Sequence, residues 1–203
     1  MKRLLTACAA SLALVGTLMP QASTAQEAVR VRGTILSLDG SVLMVKSREG
    51  KDVRVDLTPD VGFAYVRTVK LDDVKPGTPL GTAAVMGPGG KLIARELHLF
   101  PADKPIPAEG HRPWDLEPGS TMTNARVSAI TQATGSRELT LSYPEGQQQV
   151  IVPANIPVVE TVATDRSLMK IGEYILVNGT RAADGRISAA RVLISRDGVR
   201  PPQ

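Results

Sequence analysis

Cysteine is nearly absent from this 203-residue chain: the only one, Cys8, lies in an N-terminal stretch with the pattern of a removable signal. A disulfide framework is therefore excluded, and stability must come from packing. Aromatic residues are almost as scarce, with one Trp, three Tyr and two Phe. A core must then be built from Val, Leu, Ile and Ala, and a face of stacking rings for single-stranded nucleic acid is not available. There are two histidines, His98 and His111. No apolar run reaches the roughly 20 residues needed to cross a bilayer as a helix. The chain has no Gly-x-Ser-x-Gly elbow, phosphate loop, dinucleotide fingerprint or Cys-x-x-Cys pair.

The first 25 residues carry the marks of an export signal. Lys2 and Arg3 are followed by an apolar stretch from Leu4 to Leu18 and by small residues at Ser23-Thr24-Ala25. Leu5-Thr6-Ala7-Cys8 has the outline of a lipoprotein box, but cleavage there would leave almost no apolar segment ahead of the cysteine. Removing 1–25 lowers the formal net charge from +4 to +2, because it takes away two cations and no anion. With so little charge and no dense basic run, nucleic acid is not expected as a partner.

A long internal repeat organises the remainder. Val74-Lys75-Pro76-Gly77 precedes Gly90-Lys91-Leu92-Ile93-Ala94-Arg95-Glu96-Leu97, and Met169-Lys170-Ile171-Gly172 precedes Gly185-Arg186-Ile187-Ser188-Ala189-Ala190-Arg191-Val192 at the same spacing. A period near 95 residues is too long for a solenoid unit and implies a duplicated small domain. In the first copy, Val29–Ile35 and Val53–Leu57 alternate apolar with polar residues, as half-buried strands do, and Asp39-Gly40 marks a hairpin. An irregular stretch containing Phe63, Tyr65 and Val66 follows, then a short helical turn or tight loop over 71–77. A closing hairpin comes last, formed by Leu80–Met86 and Leu92–Phe100. The second copy repeats this with 125–130, 139–143, 149–153, 174–179 and 187–194.

Five short strands with one interrupting turn predict an all-β chain of two tandem small antiparallel barrels of the oligonucleotide/oligosaccharide-binding type, with a small open sandwich as the alternative. The expected divisions are a signal at 1–25, a first barrel at 26–100, a connector at 101–123, a second barrel at 124–198 and a tail at 199–203. Proline is dense in the connector (Pro101, Pro105, Pro107, Pro113, Pro118), which argues against regular ladder structure there. The connector also holds the only tryptophan, Trp114, which is expected to dock on a barrel or seal the cleft between the two.

These motifs, from Val29-Arg-Val-Arg-Gly-Thr-Ile to the Gly-Lys-Leu-Ile-Ala-Arg-Glu-Leu strand and their second-half counterparts, resemble a family of bacterial exported small-barrel domains of unknown function. Its pattern is a Val-x-Gly-x-Val opening, a Leu-x-x-Gly turn and a closing Asp-Gly-x-x-x-Ala-x-x-Val strand, and the segment from Glu109 to Ala125 is similar to the connector of its two-barrel members. Those members often carry a metal-transporter permease label, which conflicts with the lack of any membrane-length apolar run. The resemblance implies a small-barrel fold and export to the periplasm.

Candidate sites follow from the unduplicated connector. Trp114, His111 and Arg112 are the expected binding residues, because a loop held on a rigid scaffold is where binding groups concentrate. His111 with Glu109, Asp115 and Glu117 offers imidazole and carboxylates for a divalent metal, although the spacing matches no established ligand motif. The competing reading pairs Arg112 with Asp115 and ties His111 to the backbone. His98 aligns with Leu193 of the second copy and reads as a packing or strand-end residue. Ser167 and Lys170 fit the Ser-x-x-Lys pattern of a serine hydrolase, but they fall where the first copy has a plain turn and lack the accompanying motifs. The sequence thus predicts a periplasmic, non-enzymatic binding or interaction module of the cell envelope, whose partner is a small ligand or another envelope protein. A metal-handling accessory protein is the alternative and a hydrolase the weaker one.

Overall fold

A computed structural model of the chain describes residues 26–201. The expected signal lies outside the described residues, as do the last two positions of the expected tail. The described chain is all-β: thirteen strands, with short 3-10 turns at Leu71–Asp73, Pro88–Gly90 and Arg166–Leu168. No helix among the described residues is long and apolar enough to cross a membrane.

The first half forms β1 (Glu27–Asp39), β2 (Val42–Ser47), β3 (Asp52–Thr68), β4 (Pro79–Met86), β5 (Leu92–Ala94) and β6 (Leu97–Leu99). The connector contributes β7 (Gly110–Pro113). The second half forms β8 (Ser120–Ala133), β9 (Ser136–Tyr143), β10 (Gly146–Pro153), β11 (Val158–Thr164), β12 (Tyr174–Arg181) and β13 (Ile187–Ile194). Alternation is realised as expected: along β2, Leu43 and Val45 are fully buried while Lys46 is exposed. The Asp39-Gly40 turn closes β1 onto β2, with Gly40 at a φ of 52°, where a side chain is disfavoured.

The strands close into two five-membered rings, but the rings are not the two repeats. β1 pairs with β2, β2 with β3, β3 with β13, β13 with β12, and β12 with β1. The other ring runs β8, β9, β10, β5, β4 and back to β8. Each ring therefore takes three strands from one repeat and the closing hairpin from the other. The cores follow the rings: Ile35, Leu43 and Val55 pack with Ile175, Val192 and Ile194, whereas Leu80 and Ala94 pack with Leu139, Leu141 and Val152. Segments 26–100 and 124–198 are thus units of sequence, and the barrels form across them.

The cause lies in β3. Its stretch past Gly62, expected to be irregular, is strand, and residues 63–68 run on to pair with β11. Residues 63–65 still pair with β13 as well, and at about 3.3 Å per residue 66–68 carry the chain roughly 10 Å past its own ring before the hairpin begins. β3 and β11 meet antiparallel with Val66 opposite Thr161, 95 residues later, so corresponding segments cross on a local two-fold axis. Closure is also not purely antiparallel. β3 with β13 and β10 with β5 are parallel, because the incoming hairpin must present its last strand to the third strand of the other copy.

Two further expectations are corrected. The single strand expected over Leu92–Phe100 is broken into β5 and β6 around Arg95 and Glu96, since β5 pairs with β10 and β6 with β11. The connector, expected to lack ladder structure, contributes β7, which tolerates Pro113 because it is the outermost strand of the sheet.

Candidate functional site

Several side-chain differences between the two copies converge between the rings. β1 supplies Arg30, β12 supplies Leu176 and Asn178, and β13 supplies Arg191 and Leu193 to one side of a cavity of about 330 Å³. From the other ring come Gly81 on β4 and Met122 and Asn124 on β8, with His98 on β6, which pairs beside β4. Glu96, Phe100 and the connector residues Pro107, Ala108, Arg112 and Trp114 complete the lining. The strand registers place Arg30 against Met122, Gly81 against Leu176, Glu96 against Arg191 and His98 against Leu193. Both members of each pair line the cavity, as expected of a site on the local two-fold axis, yet each pair is chemically unlike.

The connector is strapped to both rings. Asp115 receives a forked pair of hydrogen bonds from the buried Arg32, at 3.0 and 2.8 Å, and lies 3.6 Å from Arg30. Burial works against the Asp115 carboxylate, but the hydrogen bonds and charge of Arg32, with the charge of Arg30, outweigh it and hold its pKa below the ordinary value. On the other side Glu117 accepts from Arg95 at 2.7 Å. Between these two anchors the Trp114 N–H donates to Ser120 O at 2.8 Å, and the Ser120 hydroxyl donates to Trp114 O at 3.0 Å. Trp114 is thereby presented to the cavity, with the Arg30 guanidinium 3.7 Å from the ring centre and that of Arg112 at 5.4 Å.

Strand alternation in β7 separates the expected binding residues. Arg112 lies opposite Met122 and faces the cavity with Trp114. His111 points the other way, its Nδ1 2.8 Å from Thr123 Oγ1, in a shallow hollow with Glu109, Tyr143 and Glu145. Burial, then the neighbouring Arg112, holds His111 below its ordinary pKa. Trp114 and Arg112 thus belong to the cavity and His111 does not.

The expected metal set does not assemble. Asp115 is engaged by Arg32 and Glu117 by Arg95, on different rings, and among the described residues no three His, Cys, Asp or Glu side chains converge as ligands would. The local Arg112–Asp115 pair is also replaced: Arg112 donates to Ala108 O at 2.7 Å. Ser167 lies in an exposed 3-10 turn whose N–H is capped by Asp165 at 2.7 Å, Lys170 is exposed beyond it, and neither lines the cavity.

His98, read from sequence as packing, is a lining residue. Its Nε2 is hydrogen-bonded to Thr161 Oγ1, and its ring lies 5.1 Å from that of Phe100. Burial, reinforced by Arg191, pushes its pKa down to about 4, so it is neutral near pH 7. Arg30, Glu96, Asn124, Asn178 and Arg191 were missed altogether. The signal for them was present in the aligned copies, where Ala-Arg-Glu-Leu faces Ala-Ala-Arg-Val. A mismatch between copies shows that the fold does not require a residue, and that is also the mark of a residue kept for binding.

No protein-family profile, curated protein or solved structure matches this chain. The cavity's own chemistry is therefore the ground for a functional reading.

Proposed function

We propose that the protein is a non-enzymatic binding module of the bacterial cell envelope that holds a small ligand in the cavity between its two rings. The observation that carries this reading is that the cavity sits on the local two-fold axis yet is lined by unlike residues from the two copies. Packing alone does not call for an arginine, a glutamate and a histidine at such positions, since burying them costs free energy. The cavity is concave, walled mainly by apolar groups and equipped with a few polar ones, which is the usual make-up of a small-molecule site. No serine, threonine, cysteine or lysine lines it, so binding without a covalent step is the simplest use of it. The export pattern of residues 1–25 supports placement in the periplasm.

Because Trp114 is the only tryptophan, its emission reports on this cavity alone. Titration with 1-anilinonaphthalene-8-sulfonate is expected to give saturable one-to-one binding with energy transfer from Trp114. Gly81→Leu installs the residue that the other copy carries and fills the cavity floor. A Cβ there would meet the Asn124 side-chain oxygen at 2.6 Å and Phe100 at 3.1 Å. This variant is expected to weaken the probe at least tenfold. Undiminished binding to a folded Gly81→Leu protein would remove the cavity as the site.

A further inference from the structure

The cavity's charge and shape together define a ligand class, on the reading that this cavity is the binding site. Three arginines line it, Arg30, Arg112 and Arg191, against one carboxylate, Glu96. The remaining polar lining groups, His98, Asn124 and Asn178, add no charge near pH 7, because burial and Arg191 keep His98 neutral. The nearby anion outside the lining, Asp115, is already met by the buried Arg32. An excess of guanidinium in a partly desolvated hollow is costly, and the groups register that cost. Burial holds both Arg112 and Arg191 below the ordinary arginine pKa, and repulsion from Arg30 adds to the effect at Arg112. A bound anion would offset it, and the planar fork of a guanidinium matches the two oxygens of an acid group.

Charge alone would suit any oxyanion, but the walls narrow the choice. Phe100, Pro107, Met122, Leu176 and Leu193 present apolar surface that a bare hydrated ion would leave unfilled. The volume, about 330 Å³, lies at the small end of ligand cavities. We infer that the cavity takes a small organic acid: one carboxylate or equivalent oxyanion on a compact apolar body, with the acid group held by Arg112 and Arg191 and the body lodged against Phe100, Met122 and Leu193. Arg30, committed to the Trp114 face at 3.7 Å, supplies positive potential and fixes the indole wall.

The test is a calorimetric titration of the whole protein with four probes of graded chemistry, read in parallel by the single indole N–H resonance of Trp114. The probes are 2-naphthoate, the neutral 2-naphthylmethanol, the cationic 2-naphthylmethylammonium and inorganic phosphate. Naphthoate is expected to bind saturably, to shift the Trp114 resonance and to exceed the alcohol in affinity at least tenfold, with the ammonium weakest. Arg112→Gln and Arg191→Gln should each lower naphthoate affinity about tenfold or more, as loss of a hydrogen bond to a charged group does, and leave the alcohol unaffected. Arg54→Gln, a surface arginine paired with Asp56 away from the cavity, should change nothing.

Equal affinity for naphthoate and the alcohol would overturn the acid class while leaving the cavity as a binding site. Phosphate binding as tightly as naphthoate would overturn the apolar body. Absence of both heat and Trp114 shift with every probe would overturn this inference and the functional reading together. Should either arginine variant fail to fold, the order of the four probes on the unmodified protein decides.

Discussion

Burial and Arg191 push His98 down to about 4, whereas in the unfolded chain it titrates near 6.5. The unfolded state therefore takes up a proton between these values that the folded state refuses. Stability from this group is complete above pH 6.5 and is lost as pH falls through the window from 6.5 to about 4. The expected loss between pH 7 and pH 5 is roughly 2 kcal/mol in denaturant unfolding. His98→Leu, which restores the residue of the other copy, should remove most of it. His111 is also held below its ordinary value, by burial and Arg112, and contributes with the same sign. An unchanged pH slope in His98→Leu would show that the histidine is not what titrates. At this scale the sequence was only partly informative. Trp114 and Arg112 stood out because the connector is unduplicated, whereas Arg30 and Arg191 sit inside ordinary strands, Glu96 sits in the break between β5 and β6, and all three acquire meaning only when the copies are brought face to face.

Individual strands were largely legible, because alternation and turn glycines act over a few residues. The exceptions are those whose pairing is remote. β11 and the far half of β3 hold each other on the two-fold axis, and β7 exists only because the edge of β8 is there to receive it. The two copies also differ in how their strands approach. At Gly33 on β1 an added Cβ would lie 2.0 Å from Lys46 O and 2.9 Å from the Ser47 Cα, all backbone that cannot swing aside. The corresponding position in the other ring is Ala125, whose Cβ is accommodated and buried. Gly33→Ala is therefore expected to force β1 from β2 and to cost about 2–4 kcal/mol, lowering the melting temperature by at least about 5 °C. A variant melting within about 1 °C of the original would show that the two strands separate freely at this point.

Exchange of the closing hairpins makes the molecule a single sheet of thirteen strands, in which neither ring is complete without both halves of the chain. A cut in the exposed turn at 102–104, made through an engineered protease site, should therefore leave the halves together. On size exclusion the cut protein should elute at the volume of the intact one, and the halves should separate only in denaturant. Halves that part under native conditions would mean that each repeat closes its own barrel. The same exchange explains why the cavity has its composition, because sharing hairpins draws β1, β12 and β13 of one ring against β4 and β8 of the other, with β6 beside β4.

The strand content, the turns, the aliphatic core and the duplication were all readable from the chain alone, since each depends on residues near one another in sequence or on a simple match between segments. Which hairpin completes which ring was not. A closing hairpin presents the same alternation to either ring, and local pattern is satisfied equally by its own repeat or by the other. The choice is made by the run of β3 toward β11, a contact between residues about 95 positions apart. That crossing seats the rings against each other, and the cavity with its three arginines, neutral histidine and lone tryptophan exists only once they are so placed.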